Sequence, residues 1–319
     1  MTGDGPPRQQ NRRLCGTVKP RMHRIGAHTS AAGGVHRAAE EAAAIGCNTL
    51  QVFTRSPRMW RGNAPSQESI DRLRALRREH DLNPLAVHGC YLTNLAAVDP
   101  GVSEKSKQSF RLEIENARNI GADYLVIHPG SARGQSTEQA IEVFAEALAE
   151  VQQGFDWDSL RLLLENTAGG GATLGRSFEE LNHLRQAVEA RCDAPLGFCI
   201  DTAHCFAAGY DVSTDSGLGD TVRKMCRWLG IDHVHVIHAN DSKTALGSNS
   251  DRHESIGDGQ IGSDAFARVL HHPQLGAKPM ILETPFIDES HAENVRRLWS
   301  LAGTPVPSSV RAPGKDGSD

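Results

Sequence analysis

Residue types that bind metals recur at the ends of short apolar runs in this chain. Six of these polar residues are His88, His128, Glu165, Asp201, His238 and Glu283. Taken singly, a histidine at such a place is usually a satisfied structural residue, and a lone aspartate is usually a helix cap. Gathered in one pocket, however, the three carboxylates would repel one another unless a multivalent cation lay between them. The set therefore predicts a metal centre.

Three further candidate ligands lie close behind in the sequence. His204 follows in the segment DTAHCFAAGYD, and Asp251 and His253 lie in SNSDRHESIGDGQIG. The nine candidates exceed the four ligands that one zinc ion usually takes, whereas three ions sharing a bridging carboxylate can use them all. A mixture of imidazoles and carboxylates without thiolates favours hydrolytic zinc or manganese over a structural cysteine site.

The elements that must position these residues are short runs that alternate with amphipathic stretches, a pattern typical of repeated βα units. The eight runs are RIGAHTS (24–30), TLQVFT (49–54), PLAVHG (84–89), YLVIHPG (124–130), RLLLEN (161–166), LGFCID (196–201), VHVIHAN (234–240) and PMILET (279–284). Eight such units predict a (β/α)₈ TIM barrel, in which the carboxyl ends of all strands meet on one face. A doubly wound sheet is the structural alternative, but no GxGxxG motif follows the first run.

We expect one barrel domain over residues 24–303, flanked by disordered tails over 1–23 and 304–319, because both ends are polar and lack a hydrophobic period. Between the runs, Ser136 with Gln139 and Ser177 with Glu180 resemble helix-capping boxes. Glycines at 46, 121 and 154 lie where helices would stop.

Composition limits the other possibilities. No stretch approaches the roughly 18 apolar residues of a membrane span, and the N-terminus lacks the apolar centre of a secretory signal, so a cytoplasmic protein without membrane contact is expected. The seven cysteines form no CxxC pair and are expected to be reduced packing residues. A formal charge of −5 argues against a global electrostatic grip on nucleic acid and requires a local basic surface for any contact with phosphate.

Nine segments resemble motifs of the endonuclease IV family, and they run in order through nearly the whole of the predicted domain. They are IGAHTSAAGG (25–34), FTRSPRMW (53–60), HGCYLTNLA (88–96), HPGSARG (128–134), LLLENTAGGG (162–171), GFCIDTAHCFAAGYD (197–211), HANDSK (238–243), DRHESIGDGQIG (251–262) and ILETP (281–285). Gly89 and Cys90 depart from the pattern, since the family tends to have more polar residues beside the first histidine.

The resemblance implies three zinc ions per chain, with manganese as an alternative at one site. The first zinc would be held by His88 and His128, with Glu165 bridging to the second. The second site would be completed by Asp201, His238 and Glu283, and the third zinc would be held by His204, Asp251 and His253. Three Zn²⁺ would turn the formal charge of −5 into about +1.

The same resemblance implies a monomeric DNA repair enzyme acting on double-stranded DNA that contains abasic sites. It would hydrolyse the phosphodiester 5′ to the lesion by attack of a metal-bound hydroxide, with Glu165 as the catalytic residue, and leave 3′-hydroxyl and 5′-deoxyribose phosphate ends, as in base excision repair.

Loops after the early strands could supply the DNA surface that the net charge demands. Cations and wedge-like side chains could fill the gap left by an extruded abasic nucleotide. The predicted DNA contacts are Arg58, Trp60, Tyr91, Leu92 and Arg252, and Arg55, Arg61 and Lys243 lie in the same loops. For any one of them, a solvated loop residue or a Trp packed on the barrel rim is an equally good interpretation.

Two other functions fit part of the pattern. A xylose-isomerase-like sugar isomerase or epimerase with one divalent metal could use Glu165, Asp201, His238 and Glu283 alone, but it leaves the remaining histidines and the FTRSPRMW loop unexplained. A metal-loaded barrel that only recognises damaged DNA would keep the loops without hydrolysis, and the complete ligand set argues against it.

Overall fold

The computed structural model describes residues 23–284 and 290–306, which form a closed barrel of parallel strands surrounded by helices. The predicted tails lie almost entirely outside the described residues. His23, at the predicted edge of the first tail, places its ring Nδ1 3.0 Å from the carbonyl oxygen of Gly276.

The barrel contains eight strands, and each lies within one of the eight predicted runs. They are β1 (Ile25–His28), β2 (Thr49–Val52), β3 (Leu85–His88), β4 (Tyr124–Ile127), β5 (Arg161–Glu165), β6 (Leu196–Asp201), β7 (Val234–His238) and β10 (Met280–Leu282). Around the barrel the order is β1–β10–β7–β6–β5–β4–β3–β2, with parallel pairing throughout and β1 closing on both β2 and β10. The prediction of a single-domain TIM barrel is confirmed.

Helices follow the strands, and their ends obey local capping rules. Ser136 and Gln139 form the predicted reciprocal capping box, and Gly46 and Gly121 end their helices in the left-handed conformation. The helix before Gly154 ends earlier than predicted, at Val151. The described helices are α1 (Val35–Ile45), α2 (Gln67–Glu79), α3 (Pro100–Ile120), α4 (Thr137–Val151), α5 (Phe178–Glu189), α6 (Thr202–Ala208), α7 (Asp215–Trp228), α8 (Ser263–His271) and α9 (Ser290–Leu301).

The segment between β7 and α8 contains a β-hairpin that the hydrophobic pattern of the sequence did not predict. Two short strands, β8 (Asp241–Ser242) and β9 (His253–Glu254), pair antiparallel as a separate hairpin above the barrel. This hairpin carries one of the candidate ligands. Among the described residues, no helix is long and apolar enough to cross a membrane.

A small apolar layer inside the barrel sets the position of the site. Its six buried members are Ala86, Val126, Leu163, Cys199, Val236 and Ile281, separate from the larger core between strands and helices. Two residues after each of them comes a candidate ligand: His88, His128, Glu165, Asp201, His238 and Glu283. Because side chains alternate between the two faces of a strand, the candidates form the next layer toward the carboxyl ends of the strands.

Candidate metal centre

Glu165 lies at the middle of this polar layer and is fully buried. One carboxylate oxygen lies 3.0 Å from His238 Nδ1 and 3.4 Å from His204 Nδ1. The other lies 3.2 Å from His88 Nε2 and 3.3 Å from His128 Nε2. A single carboxylate thus faces four imidazoles from four different parts of the barrel, two on each oxygen.

The candidate ligands fall into three overlapping groups whose donor atoms lie within 4.8 Å of one another. Glu165 belongs to the first and second groups, and Asp201 to the second and third. Asp251 adjoins the third group, since its two oxygens lie 3.2 Å from His204 Nε2 and 3.1 Å from His253 Nε2. The three groups are His88, His128 and Glu165; Glu165, Asp201, His238 and Glu283; and Asp201, His204 and His253. The structure therefore brings all nine predicted ligands to one place.

Opposite charges in this centre shift one another's pKa values. Burial by itself would raise the pKa of Glu165, but the imidazoles of His238 and His128 outweigh it and hold the pKa well below its usual value. Burial would lower the pKa of His253, whereas Asp201 and Asp251 raise it to about 9. In the metal-free protein the Glu165 carboxylate is thus ionised, and the His253 imidazole holds a proton at neutral pH.

Asp201 is both a helix cap, as expected of a lone aspartate, and a member of two of the candidate ligand groups. Its Oδ1 accepts the backbone N–H of His204 at 2.7 Å as the N-cap of α6, and Oδ2 accepts a hydrogen bond from the Asn240 amide at 2.6 Å. The same Asn240 side chain accepts the backbone N–H of Glu283 at 2.7 Å. One buried asparagine therefore ties two candidate ligands from different strands together.

The loop that carries Asp251 and His253 is organised by the buried carboxylate of Asp241. It accepts backbone N–H groups from five residues of the segment between β7 and α8, at 2.8 to 3.2 Å: Ser242, Gly257, Gly259, Ile261 and Gly262. Backbone N–H groups shielded from water must find hydrogen-bond acceptors. The Asp241 carboxylate supplies the acceptor for these five, and so it stabilises the conformation of the loop.

The residues predicted to contact DNA differ in exposure, and Tyr91 lies beside a candidate ligand. Arg58 and Arg252 are exposed, and Trp60 and Leu92 are half-buried. Tyr91 is 63% exposed and packs the edge of its ring against that of His88, with ring centroids 5.9 Å apart. Burial and the nearby carboxylates raise the pKa of Tyr91 to about 12, which keeps its hydroxyl a donor.

Arg55 behaves differently from the other cations of this loop. Its guanidinium is 2% exposed and lies 2.7 Å from the equally buried Glu113. It also donates to the Met59 carbonyl oxygen at 2.8 Å. Arg55 therefore stabilises the loop from its buried side, through Glu113 and the Met59 carbonyl. The sequence placed Arg55 on the surface that would face DNA, and its burial corrects that placement.

Several polar residues of the centre were not singled out from the sequence. Asn166, Asn240 and Asp241 directly follow predicted strand-end ligands or lie beside them in the motifs LLLEN and HANDSK, so their positions carried a signal. Gln51 lies between Leu50 and Val52 in β2, and its sequence neighbours gave no signal of a role in the centre.

The family of the chain is indicated by comparison with known proteins. Residues 39–300 match the model of a family described as xylose isomerase-like TIM barrel. A protein of Solibacter usitatus named probable endonuclease 4 is 47% identical over 290 residues, which is 90% of this chain and 100% of that protein. The crystal structure of endonuclease IV from Thermus thermophilus is 40% identical with a TM-score of 0.77, covering 88% of this chain and 99% of that one.

The barrel is also shared by proteins that act on sugars. The crystal structure of a D-tagatose 3-epimerase-like protein has a TM-score of 0.63, and the match covers 88% of this chain and 98% of that one. The identity is 18%, so this likeness concerns the fold alone.

Proposed function

The chain belongs to the endonuclease IV family and is a DNA-cleaving hydrolase, and we propose that it cuts duplex DNA on the 5′ side of abasic sites with three zinc ions. The products would be a 3′-hydroxyl and a 5′-deoxyribose phosphate. The observation that carries the proposal is the position of Glu165 between four imidazoles, because it joins two of the three ligand groups through one side chain.

The residues present fit such a centre. The buried Nε2 atom of His253 faces two carboxylates, Asp251 at 3.1 Å and Asp201 at 3.7 Å, as a ligand atom of a shared cation would. All donors are imidazole nitrogens or carboxylate oxygens, the set that suits hydrolytic zinc. The cysteines close to the centre remain thiols, since burial raises the pKa of Cys199 to about 12.

The first ion would be held by His88, His128 and Glu165, and the second by Glu165, Asp201, His238 and Glu283. The third would be held by His204, Asp251 and His253, with Asp201 beside them. Zinc ions supply Lewis acidity toward phosphodiester oxygens and make water a stronger nucleophile near neutral pH.

The protein's own residues would position the substrate. Tyr91 stands beside His88 at the entrance, with its ring edge also against Phe53 at 5.3 Å, so it is braced to contact an unstacked nucleotide. A cavity of about 580 Å³ opens next to it, lined among others by His28, Phe53 and Glu283. An abasic nucleotide lacks stacking, so its extrusion from the duplex costs little free energy. The cavity beside Tyr91 would receive it. Arg58 and Arg252 would hold the flanking phosphates.

The sugar isomerase alternative accounts for fewer of the observations. It needs only the second ligand group, and it gives no role to His88, His128 or the pairing of Asp251 with His253. The nuclease proposal uses all three groups.

The test is cleavage of a duplex carrying a single abasic site, by protein loaded with zinc and by the same protein after a strong chelator. Elemental analysis on the same preparation would count the ions. We expect incision 5′ to the lesion, loss of incision after chelation, recovery on adding zinc, and about three ions per chain. A protein with one exchangeable manganese or magnesium and no incision would contradict the proposal.

A further inference from the structure

Gln51 is a fully buried amide in β2, in the same layer of the barrel as the candidate ligands. Its carbonyl oxygen lies 2.9 Å from Nε2 of His238. Its amide nitrogen lies 2.6 Å from a carboxylate oxygen of Glu283 and 3.0 Å from Nδ1 of His28. One side chain thus contacts two members of the second ligand group and links them to β1.

The chemistry of these partners fixes which way the amide points. The Glu283 carboxylate can only accept hydrogen bonds, so the NH₂ group of Gln51 must face it, and the carbonyl oxygen is left for His238. His238 must then donate from Nε2. In a neutral imidazole the other nitrogen carries the lone pair. That nitrogen, Nδ1, lies 3.0 Å from Glu165 and 3.1 Å from Glu283.

We propose that Gln51 is a positioning residue for the second metal, which sets the tautomer of His238 and orients Glu283. The inference rests on the proposed function, since it assumes that this group holds an ion. Histidines that bind metals commonly donate their other ring nitrogen to an acceptor, and ligating carboxylates are themselves hydrogen-bonded. Gln51 supplies both partners from one side chain.

A space-filling role would not account for these contacts. Leu50 and Val52 alternate with Gln51 and belong to the apolar core between strands and helices, so an apolar residue at 51 would fill the barrel interior as well. It would, however, leave the Nε2–H of the buried His238 without its acceptor and would remove the NH₂ group that donates to Glu283 at 2.6 Å. Each loss costs free energy because the groups are screened from water.

The test compares Gln51→Leu with the wild type, both loaded with zinc and then titrated with a competing chelator. We expect one of the three ions to be held 10- to 100-fold more weakly, about the loss typical of such outer partners, while the other two are retained as in the wild type. Gln51→Met is the second variant, since its unbranched side chain keeps the length of glutamine. The matched control is Thr49→Val in the same strand as Gln51, which removes a part-buried hydrogen bond from the Thr49 hydroxyl to the Pro84 carbonyl oxygen, away from the ligands.

A second measurement reports on the tautomer itself. Nitrogen-15 NMR of the diamagnetic zinc protein should show His238 protonated at Nε2, with a slowly exchanging proton in the wild type and in Thr49→Val and a rapidly exchanging one in both Gln51 variants. Unchanged zinc retention and an unchanged proton in a folded Gln51 variant would overturn the inference and leave the proposed function standing. A wild-type protein that binds no zinc would instead overturn the proposed function, and the inference with it.

Discussion

The carboxylate of Asp241 lies 3.1 Å from the backbone nitrogen of Gly259, 18 residues further along the chain. A side chain at position 259 would collide with that carboxylate and with the carbonyl of Ser242, so glycine is needed for the approach. Together with the hydrogen bonds from Gly257, Ile261 and Gly262, the contact holds the segment after β9 against Asp241. The loop that carries Asp251 and His253 is therefore held by a buried carboxylate that is not itself among the candidate ligands.

Changing Asp241 to Asn should loosen this loop. The amide has one acceptor oxygen in place of two and turns an NH₂ group toward backbone donors, so some of the five N–H groups lose their partner. We expect the free energy of unfolding to fall by about 2–3 kcal/mol and the third zinc to be lost first. Urea denaturation and elemental analysis measure the two effects. Asp258→Asn is the matched control, because its side chain is 54% exposed in the same loop, and an equal loss in the control would contradict the prediction.

Changing Glu165 to Gln should separate catalysis from DNA binding. The variant keeps the shape of the side chain, but a neutral amide bridges metal ions poorly, and the loss of one ion would slow cleavage roughly a thousandfold or more. Duplex affinity should change far less, since Arg58 and Tyr91 are untouched. Single-turnover cleavage and affinity for an abasic duplex are measured on one preparation, with circular dichroism to check folding. Near-normal cleavage by the folded variant would remove Glu165 from the mechanism.

The proposed third zinc site can be tested with Asp251→Ala and His253→Ala. The Asp251 side chain is 52% exposed and lies on a loop, so its removal should leave the barrel folded while cleavage falls strongly. Each variant should bind one zinc less. Glu254→Ala, the next residue along, serves as the control. Full cleavage with a full metal count in either variant would show that the third site is assigned to the wrong residues.

Metal loading should depend on pH. Burial would lower the pKa of His253, but Asp201 and Asp251 raise it to about 9, and carboxylates likewise raise the pKa of His204. Both imidazoles are therefore protonated at neutral pH in the metal-free protein, and zinc must displace those protons. We expect loading at pH 7 to release at least one proton, and affinity to weaken about tenfold per displaced proton for each pH unit lowered. Titration calorimetry in two buffers of different ionisation enthalpy counts the protons, and identical heats would contradict the prediction.

Much of the site follows from the order of residues alone. In every strand from β3 to β7, and in β10, the candidate ligand comes two residues after a side chain that lines the barrel, as His88 follows Ala86. The alternation of a strand and the parallel closure of the barrel then bring the ligands to one face, so their types and spacing were enough to predict a metal centre. The loop ligands Asp251 and His253 were predicted from their residue types in the segment SNSDRHESIGDGQIG, although the hairpin that carries His253 has no periodic signal.

Other roles were decided only by the folded barrel. The role of Arg55 is set by Glu113 of α3, which lies 2.7 Å from its guanidinium, and the role of Gln51 in β2 is set by side chains of other strands. The partners of Gln51 lie 187 and 232 residues along the chain, at His238 and Glu283. A buried polar side chain takes its role from the groups that satisfy its hydrogen bonds, and when those groups come from remote strands no local pattern records them.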